Sequence, residues 1–227
     1  MRARPVVVAF DVNETLSDME PLRARFDAVG GPGHLLETWF AATLRDGFAL
    51  TAAGAFAEFS EVAAACLRTV LQEVDSARLE DAVSFVLEGF VELDVHADVR
   101  EGVELLHEAG VRLVTLTNGS VTLSEGMLDR AGILDRLERC MSVDEIGRWK
   151  PAPEPYLYAA AQCGVPPEQV ALVAVHPWDI DGAKRAGLGA GWINRKNRPY
   201  PRPFEEPDVS GPDLVAVAER LVAFGPS

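Results

Sequence analysis

The chain has 227 residues, 48% of them hydrophobic, so it can bury the core of one large domain or of a domain with a smaller insert. Its formal net charge of −14 disfavours nucleic acid and anionic membranes as partners. No apolar run approaches the roughly 20 residues that a membrane span needs, and the N-terminal segment lacks a signal-peptide cleavage site. The three cysteines are scattered along the sequence, so we expect neither disulfides nor a zinc site. Together these features predict a cytoplasmic protein.

The first predicted element is a strand at residues 6–10. This short, valine-rich apolar run stops at Asp11, and such runs are typical of strands buried on both faces of a parallel sheet. Ligands of these sheets bind outside the carboxyl ends of the strands, which is where Asp11 lies. Taken alone, Asp11 is better explained as a turn residue that caps the next segment.

Residues 19–95 show helical rather than strand patterns. Apolar residues recur at helical spacing at 35–44, 62–70 and 83–90, and a glycine-rich turn at 30–33 separates the first two helices. We therefore predict an α/β protein in which residues 19–95 form an inserted all-helical cap domain. Residues 1–18 and 96–227 are predicted to form a Rossmann-like core with a parallel sheet.

From residue 96 onward, strand and helix patterns alternate. Asp98 and Glu101 resemble a capping box that opens a helix, and Gly110 would close that helix. The further predicted elements are a strand at 111–117, a helix at 155–162, a strand at 170–175, a helix at 181–186, a strand at 191–194 and a last helix starting at 211–212. This alternation favours parallel strands joined by right-handed crossovers.

Polar residues cluster where the predicted strands end. A carboxylate nucleophile needs a cation to keep it ionised, donors that hold oxygens, and a second carboxylate that activates water. The residues that supply these groups by type are Asp11, Thr15, Thr117, Asn118, Lys150 and Asp179. Each has an ordinary structural explanation by itself. Their shared place at one edge of the sheet predicts a catalytic site.

Four segments carry a resemblance to a known family. Phe-Asp-Val-Asn-Glu-Thr-Leu at 10–16, Leu-Thr-Asn-Gly at 116–119, Trp-Lys-Pro at 149–151 and Trp-Asp-Ile-Asp-Gly-Ala at 178–183 resemble the haloacid dehalogenase superfamily over nearly the whole chain. The closer resemblance is to the hydrolytic (S)-2-haloacid dehalogenases. It implies that Asp11 displaces halide from a small 2-haloacid, and that water then hydrolyses the aspartyl ester to give a 2-hydroxy acid. No metal and no cofactor are expected.

Two positions favour a dehalogenase over a phosphatase of the same superfamily. Those phosphatases place an aspartate two residues after the nucleophile as a general acid, whereas this chain has Asn13, which has no proton to deliver. They also hold Mg²⁺ with an aspartate four residues before the position of Asp179, where this chain has Val175. Halide needs neither proton nor metal in order to leave. A phosphatase of a small phosphorylated metabolite and a non-catalytic binding module remain the alternatives.

The resemblance also assigns roles within the site. Lys150 would pair with Asp11, Asp179 would activate water, and Thr15, Thr117 and Asn118 would hold carboxylate oxygens. The residues expected around the substrate are Val12, Asn13, Trp39, Phe40, Arg45, Phe59, Tyr156, His176 and Trp178. For Trp39, Phe59 and Trp178, a place in the hydrophobic core is the alternative.

The chain departs from the family pattern in three places, one of which is Asn13, where this branch usually carries an aromatic residue. Phe40 stands where the dehalogenases carry an arginine that cradles halide, and Arg45 lies about 140° further around the same helix. His176 replaces a small polar residue; it would assist the water or bind product, or else serve as a structural histidine. The sequence leaves open the halogen, the enantiomer, the chain length and the oligomeric state, including a homodimer.

Overall fold

The computed structural model describes residues 3–225. Within them, six strands form one parallel sheet in the order β3-β2-β1-β4-β5-β6. The strands are β1 (Val7–Phe10), β2 (Arg112–Thr117), β3 (Arg139–Ser142), β4 (Val170–Ala174), β5 (Gly189–Ile193) and β6 (Val209–Gly211). The predicted α/β fold class is confirmed.

Strand β1 lies in the middle of the sheet and is completely buried, because helices cover both faces. After β1 the chain builds β2 and β3 on one side, and it then crosses to build β4, β5 and β6 on the other. Where the strand order reverses in this way, the carboxyl ends of the strands leave a crevice for ligands. Asp11 follows β1 at this point, and its backbone N–H donates to the carbonyl of Val173 in β4 at 3.0 Å.

Nine α-helices occur in the described part of the chain. They are α1 (Leu22–Ala28), α2 (Leu35–Ala52), α3 (Phe59–Val70), α4 (Leu79–Glu88), α5 (Val99–Glu108), α6 (Val121–Arg130), α7 (Pro153–Gln162), α8 (Pro177–Arg185) and α9 (Leu214–Val222). Helices α5, α6 and α9 share one hydrophobic cluster with the sheet, and α7 and α8 share another. No helix within residues 3–225 is both long and apolar enough to cross a bilayer.

Helices α1 to α4 have a hydrophobic cluster of their own, which includes Phe26, Trp39, Leu67 and Val86. The two segments that join this helical part to the sheet run side by side. Ser17 and Val95 form an antiparallel bridge, and backbone hydrogen bonds of 2.9 Å flank it on either side. We propose the domain boundaries 18/19 and 95/96 on the strength of this pairing.

Trp149 enters the hydrophobic cluster of the cap from the core sequence. Its backbone N–H donates to Thr51 Oγ1 at 3.1 Å, and its Nε1 donates to the carbonyl of Ala57 at 3.0 Å. Its ring lies against Gly47 of α2, where a Cβ would come within 2.3 Å of the indole. A glycine is therefore required at this contact.

Helix α5 begins directly after Asp98, as predicted, but other predictions for the elements are wrong. Asp98 makes no capping hydrogen bond with its side chain, because its oxygens accept from Arg195 Nη1 at 2.8 Å and from the backbone N–H of Leu214 at 2.6 Å. The last helix starts at Leu214 instead of 211–212, and the Asp213 side chain caps it. Helix α8 starts at Pro177, four residues earlier than predicted. The sequence analysis also missed α6, β3 and β6, whereas Gly110 ends α5 as predicted.

Candidate active site

Lys150 connects the two carboxylates of the site. Its side chain is fully buried, and its Nζ donates to Asp11 Oδ1 at 2.9 Å and to Asp179 Oδ2 at 2.6 Å. The other oxygen of Asp11 accepts from Thr15 Oγ1 at 2.6 Å. Thr15 Oγ1 in turn accepts from the backbone N–H of Val175 at 3.1 Å. The structure thus brings together side chains from loops that are far apart in the sequence.

The surroundings push the pKa values of the two aspartates in opposite directions. Burial would raise the pKa of Asp11, but Lys150, His176 and the Thr15 hydroxyl outweigh it and lower that pKa below its ordinary value. Burial raises the pKa of Asp179, Lys150 offsets only part of this rise, and the charge on Asp11 adds to it. Asp11 is therefore held as an anion suited to nucleophilic attack, and Asp179 is the better proton acceptor.

The loop after β2 positions Lys150. The backbone N–H of Lys150 donates to Asn118 Oδ1 at 2.9 Å, and Asn118 Nδ2 donates to the carbonyl of Lys150 at 3.4 Å. Thr117 Oγ1 accepts from the backbone N–H of Gly119 at 2.9 Å. Asn118 is therefore a positioning residue in this structure, and Thr117 stabilises its own loop.

Tyr156 belongs to the same buried network. Its hydroxyl donates to Asp179 Oδ1 at 2.5 Å, on the carboxylate oxygen that Lys150 does not bind. Burial and the charge of Asp179 raise the pKa of Tyr156 well above its ordinary value, so the hydroxyl stays a donor. Tyr156 contacts Asp179 directly, whereas the sequence analysis expected it to line the substrate pocket.

His176 lies beside Asp11 and is the residue that precedes α8. Its Nε2 is 3.8 Å from Asp11 Oδ2, 3.6 Å from Glu14 Oε2 and 3.3 Å from the carbonyl of Asn13. All three neighbours are acceptors, so an N–H at Nε2 fits this place best. The ring stacks on Trp178 with the centroids 5.1 Å apart.

Glu14 itself has a φ of +60°, a backbone conformation that is unusual for a residue with a side chain.

The three residues of α2 that were predicted to surround the substrate have different environments in the structure. Trp39 is fully buried in the cap cluster, and its Nε1 donates to the carbonyl of Ala63 at 2.9 Å, which agrees with the core alternative. The ring of Phe40 lies 6.2 Å from that of His176, so Phe40 does face the site. Arg45 does not reach it, since its side chain is 71% exposed and pairs with Asp46.

Phe48 is a contact that the sequence analysis missed. Its ring lies 4.9 Å from that of Trp178, so α2 covers the start of α8. The signal was present in the sequence, because Phe48 lies eight residues after Phe40 and therefore on the same side of the helix. Trp178 in turn lies over Lys150, with Nζ 6.0 Å from its ring centroid.

Two cavities flank the site. The first, called here the apolar cavity, has a volume of about 280 Å³ and lies between cap and core. It is lined by Val12, Asn13, Ser17, Glu58, Phe59, Ser60, Leu87, Phe90, Leu93, Gly119, Ser120, Leu123, Ser124, Met127 and Asp144. The second, of about 380 Å³, is a polar cleft on the side of His176 and Glu14. Among the predicted pocket residues, Val12, Asn13 and Phe59 line the apolar cavity.

Comparisons with known proteins show which family the chain resembles. The family model for haloacid dehalogenase-like hydrolases matches residues 6–187. (S)-2-haloacid dehalogenase 1 of Pseudomonas sp. (strain CBS-3) is 29% identical over 197 residues, which cover 86% of this chain and 87% of that protein. A phosphoserine phosphatase of Thermus thermophilus is 37% identical over 106 residues, which cover only 46% of this chain and 40% of that protein.

A solved structure extends the comparison to the fold. The L-2-haloacid dehalogenase of Xanthobacter autotrophicus with chloropropionic acid covalently bound has a TM-score of 0.83 to this chain. The two are 23% identical, and the alignment covers 96% of this chain and 98% of that chain. Because the family model spans most of the sequence and the fold agrees along its length, the chain belongs to the haloacid dehalogenase-like hydrolases.

Proposed function

We propose that the protein is a hydrolytic dehalogenase that converts 2-haloacids to 2-hydroxy acids through an ester on Asp11. The observation that carries this proposal is the buried ion pair of Asp11 with Lys150, together with Asn13 in the position of a general acid. An ionised carboxylate with no proton donor at that position suits a leaving group that departs as a stable anion. The similarity to (S)-2-haloacid dehalogenase 1 supports the same reaction.

In the first step, an oxygen of Asp11 attacks the carbon that bears the halogen. A carbon–oxygen bond forms while the carbon–halogen bond breaks, and the halogen leaves with the bonding electron pair as halide. Lys150 and Thr15 hold the two oxygens of Asp11 in place, which fixes the direction of attack. No proton is transferred, so Asn13 is sufficient at its position.

In the second step, water attacks the carboxyl carbon of the ester. Asp179 accepts one proton from the water, and the carbonyl re-forms as the product oxygen leaves as an alkoxide. This alkoxide takes the proton of the new carboxyl group, which gives the 2-hydroxy acid and restores the carboxylate of Asp11, and Asp179 returns its proton to solvent. Although Lys150 and Tyr156 already bind the oxygens of Asp179, a carboxylate has about four acceptor positions, so lone pairs remain for the water. His176 is placed to contact either the water or the product.

The phosphatase alternative has less support. The apolar side chain of Val175 offers no oxygen ligand, and the ammonium of Lys150 already lies between the two carboxylates that would have to bind Mg²⁺. The similarity to a phosphoserine phosphatase covers less than half of either protein.

A cytoplasmic location and a homodimer remain predictions.

One pair of assays separates the alternatives. Halide release from (S)-2-chloropropanoate in the presence of EDTA is expected, with no hydrolysis of p-nitrophenyl phosphate in Mg²⁺. The Asp11→Asn variant should release no halide. Phosphate release that requires Mg²⁺ would establish the phosphatase instead, and the absence of both activities would favour the binding module.

A single turnover tests the covalent step. With enzyme in excess in H₂¹⁸O, the label should enter Asp11 rather than the hydroxy acid, because hydrolysis occurs at the carboxyl carbon of the ester. Mass spectrometry of the peptide that contains Asp11 measures this directly. Label found in the product after one turnover would mean that water attacks the substrate carbon and that Asp11 forms no ester.

A further inference from the structure

The apolar cavity lies against the two loops that carry the site. Val12 and Asn13 directly follow Asp11, and Gly119 and Ser120 directly follow the loop that positions Lys150; all four line the cavity. A substrate bound with its reacting carbon at Asp11 therefore has this cavity beside it. The polar cleft has different lining residues, which include Glu14 and His176.

Aliphatic and aromatic side chains dominate the wall of the cavity away from the nucleophile. The cap contributes Phe59, Leu87, Phe90 and Leu93, and α6 contributes Leu123 and Met127. Leu123 and Met127 are one helical turn apart and therefore face the same side of α6. Such a wall stabilises hydrocarbon, because each buried methylene gains about 0.8 kcal/mol on leaving water, a three- to four-fold effect on binding.

The charges around the cavity have one sign. Glu58 and Asp144 are exposed carboxylates that line it, and no lysine, arginine or histidine is found among its described lining residues. A second carboxylate at the far end of a substrate would lie near these two side chains and be repelled. The occupant is therefore expected to end in a neutral group.

We propose that the apolar cavity binds an uncharged alkyl tail on carbon 2 of the substrate, so that the preferred substrates are medium-chain 2-haloalkanoic acids. This rests on the proposed function and names its substrate class. The volume of about 280 Å³ corresponds to about nine groups of the size of a water molecule, taking ~30 Å³ for each. A tail of about four to six carbons fills roughly half to two-thirds of that space, whereas the methyl group of a 2-halopropanoate leaves it almost empty.

The test is a chain-length series of (S)-2-bromoalkanoates from propanoate to decanoate. We expect kcat/KM to rise about three- to four-fold per added methylene up to about the octanoate and then to level off or fall. Replacing the tail's end by a carboxylate, in 2-bromooctanedioate, should lower kcat/KM at least ten-fold. In the double variant Glu58→Gln/Asp144→Asn, kcat/KM for 2-bromooctanedioate should come closer to kcat/KM for 2-bromooctanoate.

Two variants locate the effect. Leu123→Trp fills the cavity from α6, so the ratio of kcat/KM for the octanoate to that for the propanoate should fall at least ten-fold. Leu157→Trp is the matched control, since Leu157 is exposed on α7 and does not line the cavity; it should leave the ratio unchanged. A series that is fastest with 2-bromopropanoate and declines with length would overturn the proposal, as would an unchanged ratio in Leu123→Trp.

The same chain-length series also shows whether the proposed function itself fails. If no bromoalkanoate releases bromide, the dehalogenase assignment fails, and the tail site is then judged by calorimetry with unreactive acids. Octanoate should bind the wild-type protein more tightly than propanoate, and Leu123→Trp should remove the difference. Equal affinities for the two acids would overturn the tail site as well.

Discussion

Lys150→Met tests the electrostatic centre of the site. The substitution keeps most of the aliphatic stem and removes a charge that is fully buried, 2.9 Å from Asp11 and 2.6 Å from Asp179. Removing one partner of a buried ion pair typically costs about 3–5 kcal/mol. If this energy is lost from the ionised form of Asp11, the first chemical step slows by about 10²- to 10⁴-fold.

Stability should change with pH in the same variant. Without the ammonium, burial and mutual repulsion raise the pKa of the two carboxyl groups above the ordinary value. When the pKa of a carboxyl group is raised in the folded state, the protonated form of the group is compatible with the fold. The free energy of unfolding then falls as the pH rises through that pKa and the group becomes charged. The loss of Tm relative to the wild type should therefore be largest at neutral pH and smaller in acid.

Rapid-quench measurement of bromide release and thermal melts across pH check both expectations. Lys184→Met is the matched control, because Lys184 also forms a 2.9 Å ion pair, but its partner Asp208 is not a residue of the site. It should leave the rate of bromide release unchanged. A near-normal rate in Lys150→Met would refute the assigned pairing.

Three further variants address the remaining features. Asp179→Asn should release one equivalent of bromide per enzyme and then stall with the ester trapped, and steady turnover would remove Asp179 from the hydrolytic step. Tyr156→Phe loses a hydrogen bond that lowers the pKa of Asp179, so the pKa of Asp179 should rise in this variant. In single-turnover measurements, the pH below which the rate of ester hydrolysis falls should therefore move upward, and an unchanged pH profile would contradict this. Gly47→Ala forces a Cβ against the indole of Trp149 and should cost about 1–3 kcal/mol in urea unfolding. The control Gly126→Ala, whose Cβ meets nothing closer than 3.7 Å, should be neutral or stabilising.

The parts of the fold that the sequence predicted are those with a strong local signal. The apolar runs of β1, β2 and β4 are buried throughout or nearly so, and they fix which residues come at the carboxyl edge. Asp11, Lys150 and Asp179 could therefore be grouped before any contact was known. Strand β3 was missed because it is only half buried, and β6 because its three residues include a serine and a glycine.

Side-chain partners were harder to predict, because distant residues decide them. Asp98 has the spacing of a capping residue, yet Arg195 and the start of α9 offer its carboxylate better donors. Asn118 was expected to hold substrate oxygens, but both ends of its amide bind the backbone of Lys150. Arg45 pairs with its neighbour Asp46 and is mostly exposed, which agrees with its position about 140° around the helix from Phe40.

The position of Trp149 couples the geometry of the cap to that of the ion pair. Trp149 is anchored in the cap cluster, while the next residue, Lys150, donates to Asp11. A substitution that shifts the indole within the cap would therefore also shift the ammonium relative to the carboxylate. The cap thus fixes the position of a charge in the site through the backbone, without placing a charge of its own beside Asp11.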